Sequence, residues 1–290
     1  MIFQQLITGI SVGGIYALLA TGYSLIYSLL DFSNWSHGEF AMVGAYVAFV
    51  CSNIIELPFA VAAATGVIGG ALISFASEKV AYRRIRSTGA PNMFLMIAAM
   101  GLSNVFQQAA NLIFSGQYRS YNYTIPVGTV KIGSSYIGVL DMVSLIITAI
   151  ILVGLIFLIN KTKFGLNVRA IACNASAAKV LGVKVDRSIA SVFLLAGSLA
   201  GVAGILYGLK YNIFPTMGNI GLKAFIASVI GGLGSVPGAI IGAVLLGIIE
   251  TLVAGYLSSS LRDFFSFGIL IVLLLVKPTG LMGVDVQDKA

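Results

Sequence analysis

The chain has 290 residues, of which 58% are hydrophobic and 9% are charged, and its formal net charge is +7. A soluble domain carries about 25% charged residues, so this chain has too little polar surface to cover a globule in water. The composition excludes secreted, fibrous, disordered and nucleic-acid-binding proteins and predicts a membrane protein. In such a protein the excess positive charge is expected in cytoplasmic loops.

Apolar runs of membrane-spanning length recur along the whole chain. A transmembrane helix needs about 20 mostly apolar residues. The predicted spans are Leu6–Leu29, Phe40–Ile55, Phe59–Ala76, Met93–Phe114, Val139–Ile159, Ile189–Leu209, Ala239–Leu257 and Phe264–Val276. The predicted fold class is therefore an all-α polytopic membrane protein with about eight transmembrane helices, in which residues 1–290 form one transmembrane domain.

One further apolar run, Leu222–Ile230, is too short to cross a bilayer and is followed by the glycine-rich stretch Gly231–Gly238. A short apolar segment, a flexible elbow and a following span are typical of a discontinuous membrane helix. The alternative is a short helix that ends in a glycine-rich turn outside the membrane.

Positive charge is concentrated in two stretches. Lys79–Arg86 and Lys161–Arg187 together hold ten of the 17 Lys and Arg residues. The two stretches are separated by two predicted spans, so both are expected in the cytoplasm. This assignment places Ser115–Gly138 and the amino terminus outside.

Pairs of glycines four residues apart recur in the predicted spans. Such pairs let membrane helices approach each other closely. The pairs are Gly9 and Gly13, Gly66 and Gly70, Gly197 and Gly201, Gly204 and Gly208, and Gly238 and Gly242. They predict a compact bundle with tight helix crossings.

The segment Asp31–Glu39 holds the only His, the only Trp and two of the ten acidic residues, with no basic residue beside them. Polar groups at membrane depth are costly and more often line an aqueous path or join helices than face lipid. The segment is therefore either a non-helical break on a transport route or an interfacial turn in which Ser33 or Asn34 caps the next helix. Both interpretations stay open on the sequence alone.

Glu250 is isolated in a predicted span, with helix neighbours such as Thr251 as its only obvious local partners. We expect its side chain to face the protein interior and to have a structural role.

The GxxxxGK[ST] phosphate loop is absent from the sequence. His37 and Glu39 form an H-x-E pair without a Cys or a second His, which argues against a metal site. We therefore predict no catalytic, metal-binding or cofactor-binding residue in this chain.

The stretch Lys161–Arg187 contains NASAAKVLGVKVDR, which predicts a short helix that Gly182 ends or bends. Ala178, Leu181 and Val185 are expected on one side of this helix and Lys179 on another. The stretch is either a solvated basic loop or a helix that inserts into the groove of a partner.

Two motifs and three further blocks of the sequence resemble a known family. Ser176–Gly182 resembles the EAA-xxx-G coupling motif of ABC importer permeases, with Ser176 in place of the usual Glu. NWSHGEFAMVGAY, from Asn34 to Tyr46, resembles the NFAHGE-xxMxGAY signature of LivH-type permeases of branched-chain amino acid importers, with Trp35 for Phe and Ser36 for Ala. The opening GISVGGIYALLATGYSLIY, the block GLKAFIASVIGGLGSVPGAIIGA and the final KPTGLMG are similar to that family in order and spacing.

This resemblance implies a permease subunit of an ATP-driven importer in the bacterial cell membrane, which moves Leu, Ile or Val by alternating access. The implied partners are a second homologous permease, two cytoplasmic ATP-binding subunits that carry ATP and Mg, and an external solute-binding protein, with lipid around the spans and no nucleic acid. The implied translocation region comprises Asn34, His37, Gly38, Glu39, Gly231, Gly232, Gly234 and Pro237. The implied contact with the ATPase comprises Ser176, Ala177, Ala178, Lys179, Leu181 and Gly182.

Other functions remain open at this point. The same importer class carries urea, amides or other amino acids. A secondary transporter would use Glu39, His37 or Glu250 to couple transport to protons. A lipid-modifying enzyme would use His37 and Glu39, and a scaffold subunit would leave the path to its homologous partner.

Overall fold

A computed structural model describes residues 2–122, 128–132 and 135–283. Helices dominate these residues. The helices are α1 (Ile2–Leu30), α2 (His37–Phe49), α3 (Phe59–Ser77), α4 (Arg83–Ser87), α5 (Asn92–Phe114), α6 (Val139–Lys161), α7 (Lys163–Cys173), α8 (Ala175–Val180), α9 (Val185–Tyr211), α10 (Ile220–Gly231), α11 (Val236–Tyr256) and α12 (Arg262–Val276). Strands β1 (Thr129–Ile132) and β2 (Ser135–Gly138) pair antiparallel before α6.

Seven helical segments in the described part of the chain are long and apolar enough to cross a membrane. They are Ile2–Leu30, Phe59–Ser87, Asn92–Phe114, Val139–Lys161, Val185–Tyr211, Val236–Tyr256 and Ser259–Val276. The all-α polytopic fold class is therefore confirmed. The remaining expected span, Phe40–Ile55, corresponds to α2 and the wider helical turn Val50–Ile54. This segment is not one of the seven, and the first turn of α2 carries the polar residues His37 and Glu39.

The two basic stretches of the sequence lie at the same end of the bundle, as the charge count predicts. Arg86 forms an ion pair with Asp186 at 2.8 Å and another with Glu78 at 3.2 Å, which joins the segment after α3 to the start of α9. We call this end the basic end.

The opposite end carries the strand pair β1–β2, and we call it the hairpin end. The hydroxyl of Thr8 donates to the carboxylate of Asp141 at 3.2 Å, so α1 begins beside the start of α6. Lys210, at the end of α9, forms an ion pair with the same carboxylate. The amino terminus therefore lies at the end opposite the basic loops.

Helix α1 packs against α11, and α9 packs against α3, through glycines. A Cβ atom on Gly9 would lie 2.8 Å from the Cα of Ile248, and one on Gly13 would lie 2.8 Å from the Cα of Val244. A Cβ atom on Gly70 would lie 2.8 Å from the carbonyl oxygen of Gly197. The predicted tight crossings are confirmed, because the backbones at these positions are too close for a side chain.

Replacing Gly13 by Leu is expected to lower the free energy of unfolding by about 1 to 3 kcal/mol, because overpacked helices must separate. The matched control is Gly154→Leu on α6, where a Cβ atom would have no heavy atom within 4 Å. Thermal unfolding of the detergent-solubilised protein checks this prediction. Equal melting temperatures for the two variants would contradict it.

Candidate functional site

Helix α2 starts well inside the bundle. The ring of His37, its first residue, packs edge-on against the ring of Tyr23 on α1, with 4.8 Å between the centroids. The ring also fills the space where a Cβ atom of Gly22 would lie. Gly22 is eight residues before the end of α1 at Leu30, which corresponds to about 12 Å of helix. The chain between α1 and α2 thus turns back into the helical body, as expected for a non-helical break.

A buried polar triad holds this return segment. The side-chain oxygen of Asn34 accepts hydrogen bonds from the Ser36 hydroxyl and from the Tyr82 hydroxyl, each at 2.8 Å. Asn34 is 1% exposed and Tyr82 is fully buried. A side-chain cap of α2 is absent, because the side-chain oxygen of Asn34 accepts instead from the amide of Ser36, just before the helix. Tyr82 lies in the wider helical turn Glu78–Tyr82 that follows α3, and no sequence pattern predicts its contact with Asn34.

His37 and Glu39 are buried without a full set of partners. His37 is inaccessible to solvent and Glu39 is 3% exposed. Among the described residues, neither ring nitrogen of His37 has a hydrogen-bond partner with good geometry, and the backbone of Leu19 is the group nearest to forming one. One carboxylate oxygen of Glu39 accepts from the Ser103 hydroxyl at 3.1 Å, and the other has no partner among the described residues. Buried polar groups without partners are rare, and they commonly mark functional positions.

The start of α10 crosses the start of α2 with no side chain between the two backbones. A Cβ atom on Gly221 would lie 2.6 Å from the Cα of Gly38, and a Cβ atom on Gly38 would lie 2.9 Å from the Cα of Gly221. A Cβ atom on Gly218 would overlap the carboxylate of Glu39. We call this contact the glycine crossing. The glycine crossing places His37 and Glu39 against α1 and α5. Of the glycines in this contact, only Gly38 was predicted as a site residue.

The residues predicted for the discontinuous segment lie away from the glycine crossing. Helix α10 ends at Gly231, eleven residues after Ile220 or about 16 Å along the helix. Gly232 and Gly234 have positive φ angles of 106° and 87°, and Pro237 lies in the first turn of α11. The structure therefore shows a short helix, a glycine turn and a second helix. The first residues of α10 contact α2, at the far end of the helix from this turn.

The carboxy-terminal motif closes this turn. The amide of Leu281 donates to the carbonyl of Ile230, and the amide of Met282 donates to the carbonyl of Gly231, each at 2.9 Å. These bonds satisfy carbonyl groups that the end of a helix would otherwise leave unpaired. Gly232 packs directly against Gly283, where a Cβ atom would lie 2.7 Å from the Cα of Gly283. The block that contains α10 and the carboxy-terminal block KPTGLMG, which the sequence related only through their resemblance to one family, are thus in physical contact.

The predicted coupling residues form a short helix at the basic end. The side chain of Asn174 accepts from the amide of Ala177 at 2.9 Å and so caps α8. Gly182, with a φ angle of 87°, ends the turn that follows. Ala178 is 2% exposed, whereas Leu181 is 82% exposed, so the expectation that both lie on one side is wrong.

An exposed apolar pair, Val180 and Leu181, forms the tip of this helix, and Val180 is 88% exposed. Ser176, Ala177, Lys179 and Gly182 are also exposed. The tip is therefore available to a partner. Of its two residues, only Leu181 was predicted to contact the ATPase.

Glu250 faces the interior, as expected, but its partners come from other helices. Its carboxylate accepts from the Tyr16 hydroxyl at 2.9 Å and from the Ser266 hydroxyl at 2.7 Å, and it pairs with Lys223 at 3.0 Å. Thr251, the expected local neighbour, instead donates to a backbone carbonyl one turn earlier. The three partners lie on α1, α12 and α10, so sequence proximity could not reveal them.

Comparison with known proteins agrees with this architecture. The family model for the permease component of branched-chain amino acid transport systems matches residues 5–274. The chain belongs to this permease family.

Individual relatives match over nearly their full length. The high-affinity branched-chain amino acid transport system permease protein BraD of Pseudomonas aeruginosa is 33% identical over 300 residues, covering 99% of this chain and 97% of BraD. The high-affinity branched-chain amino acid transport system permease protein LivH of Escherichia coli K12 is 35% identical over 307 residues, covering 99% of this chain and 97% of LivH. A probable LivH of Methanocaldococcus jannaschii is 32% identical over 92% of this chain and 88% of the relative. This permease is thus a multi-pass membrane protein and a component of a transport system.

Replacing Lys223 by Met is expected to lower the free energy of unfolding by on the order of 3 kcal/mol, because the buried Glu250 carboxylate loses its cation. The side chain of Glu250 is 4% exposed and that of Lys223 is 26% exposed. The added substitution Glu250→Gln removes the stranded charge, keeps an acceptor for Tyr16 and is expected to restore most of the loss. Chemical unfolding of both variants in detergent, beside the exposed control Lys184→Met, checks this. A single variant as stable as the control would contradict the prediction.

Proposed function

We propose that this permease is the non-catalytic membrane subunit of an ATP-driven importer of the branched-chain amino acids Leu, Ile and Val. The observation that carries the proposal is the similarity of at least 33% over almost the whole length of two permeases described as high-affinity branched-chain amino acid transporters. The chain contains no phosphate loop, so partner subunits bind ATP and Mg and hydrolyse the ATP. Its own fold requires no cofactor.

The proposed complex contains a second homologous permease, two cytoplasmic ATP-binding subunits and an external solute-binding protein. Helix α8 at the basic end supports the contact with an ATP-binding subunit. Its buried residue Ala178 anchors the helix, and the exposed apolar pair Val180 and Leu181 fits a groove in a partner. Orientation by positive charge places this end in the cytoplasm.

The proposed mechanism is alternating access, with the solute path at the interface of the two permeases. Closure of the ATP-binding subunits pushes α8, and α8 passes the push to α9 through the short turn at Gly182. Helix α9 packs tightly on α2 and α3, since a Cβ atom on Gly204 would overlap the backbone of Ala41 and one on Gly201 would lie 3.0 Å from the Cα of Val67. Motion of α9 therefore moves α2 and the glycine crossing with it.

His37 and Glu39 are proposed to respond to this motion. In the present state the ring of His37 and one oxygen of Glu39 have no hydrogen-bond partner of good geometry among the described residues. A conformational change that gives these groups hydrogen-bond partners or contact with water removes the free-energy cost of burying them unpaired. The glycine crossing thereby couples the translocation region to α10, whose carboxy-terminal end leads into the turn at Gly231 and Gly232.

Uptake by vesicles that contain the whole complex tests the function. ATP trapped inside is expected to drive uptake of radiolabelled leucine, whereas a proton gradient without ATP is expected to drive none. Uptake driven by the gradient alone would replace the mechanism with proton coupling. ATP-driven uptake of urea but not leucine would keep the mechanism and replace the solute.

Replacing Leu181 by Asp tests the coupling role of α8. An interface contact of this kind is commonly worth about 2 kcal/mol or more, so substrate-stimulated ATP hydrolysis is expected to fall roughly 30-fold. Because Leu181 is 82% exposed, the permease itself should fold normally, unlike a variant at the buried Ala178. Leu166→Asp on α7, at a position 58% exposed, is the matched control. Full ATP hydrolysis and intact assembly with Leu181→Asp would show that coupling does not use this tip.

A further inference from the structure

A polar cavity opens near the hairpin end, between α1, α9, α11 and the start of α12. Its volume is about 300 Å³, which is at the lower end of the range for small-molecule sites. Its lining combines charged groups, tyrosines and small side chains, namely Gln5, Thr8, Val12, Tyr16, Tyr207, Tyr211, Lys223, Glu250, Thr251, Ala254, Gly255 and Arg262. We call it the hairpin-end cavity.

The carboxylate in this cavity is already satisfied by the protein. Glu250 is bound by the hydroxyls of Tyr16 and Ser266 and by the ammonium group of Lys223. Lys223 also pairs with Asp263 at 3.0 Å, so its charge is shared between two carboxylates. Glu250 therefore has little capacity left to bind a cationic ligand.

Arg262, by contrast, has no acidic partner within ion-pair distance in the part of the chain that the structure describes. Its Nε atom is buried and has no hydrogen-bond partner among the described residues, although the residue as a whole is only half-buried. Arg262, Tyr207 and Tyr211 line the same cavity. A guanidinium without a counter-ion beside hydroxyl donors matches the geometry of a carboxylate.

We infer that the hairpin-end cavity binds the carboxylate of a small aliphatic acid, with a free branched-chain amino acid as its natural occupant. Arg262 binds the carboxylate, the hydroxyls of Tyr207 and Tyr211 donate to it, and Val12 and Ala254 leave an apolar side for a short hydrocarbon chain. This inference rests on the proposed function, because the predicted orientation turns the cavity toward the outside. The site would receive the solute before it reaches the interface of the two permeases.

The size of the cavity favours a free acid over an acidic side chain of a docking protein. A half-open recess of about 300 Å³ encloses much of a small molecule, whereas protein interfaces place their charges mainly on an exposed rim. Docking of the external protein through Arg262 is therefore the alternative that the experiment must exclude.

Equilibrium binding to the full chain in lipid nanodiscs, without solute-binding protein or nucleotide, tests the inference. Radiolabelled leucine and 4-methylpentanoate, which keep the carboxylate, are expected to bind, and 3-methylbutylamine, which lacks it, is not. Arg262→Gln is expected to weaken binding of both acids about tenfold or more, because a charge-assisted pair of hydrogen bonds is lost. Tyr211→Phe should weaken it less, and Lys131→Gln, which removes an exposed charge on β1, should leave it unchanged.

Two results would overturn the inference: absence of binding by the unsubstituted chain, or equal binding by Arg262→Gln. Because the external protein is absent from this assay, binding that depends on Arg262 cannot be an effect of its docking. If Arg262→Gln proves unstable, the Tyr207→Phe and Tyr211→Phe variants carry the comparison, since each removes only one hydroxyl. ATP-driven leucine uptake by the unsubstituted complex is measured separately. Normal uptake without binding refutes only the cavity, and Arg262-dependent binding without uptake refutes only the importer.

Discussion

The close approach of two helix starts, at Gly38 on α2 and Gly221 on α10, constrains the rest of the structure. A Cβ atom at either position would lie less than 3 Å from the Cα of the other, so the two backbones meet only because neither residue has a side chain. Two consequences follow from this contact. Helix α2 must begin inside the bundle, and its polar first turn must be buried there with His37 and Glu39.

The same packing principle connects this buried region to both ends of the molecule. Helix α9 lies between α2 and α3 on glycine surfaces, and α1 lies on α11 in the same way. Toward the basic end, α9 follows directly on the coupling helix α8, and α10 ends in a glycine turn that Leu281 and Met282 close by backbone hydrogen bonds. Toward the hairpin end, α10 contributes Lys223 to the cavity around Glu250. A displacement of α8 therefore has a continuous packed route to the regions that are proposed to meet the solute.

The sequence predicted those features that depend on local pattern. Span lengths, the short α10 and the glycine pairs all follow from residues close together in the chain. Contacts between distant residues were missed, among them Gly38 with Gly221, Asn34 with Tyr82 and Glu250 with Lys223, because one sequence contains no information on which helix faces which. The predicted orientation of Leu181 was wrong for a different reason: α8 has only six residues and ends at Val180, so Leu181 lies beyond the helix, where the helical pattern no longer applies.

Hydrogen–deuterium exchange of the nucleotide-free complex tests the central claim most directly, since exchange reports whether backbone amides are reached by water. Peptides that cover residues 37–46 and 220–228 span the starts of α2 and α10. If the glycine crossing is a packed contact, both peptides will exchange as slowly as the buried middle of α1. Exchange as fast as that of the exposed residues around Leu181 would show that the helix starts are separated by water, which would contradict the account.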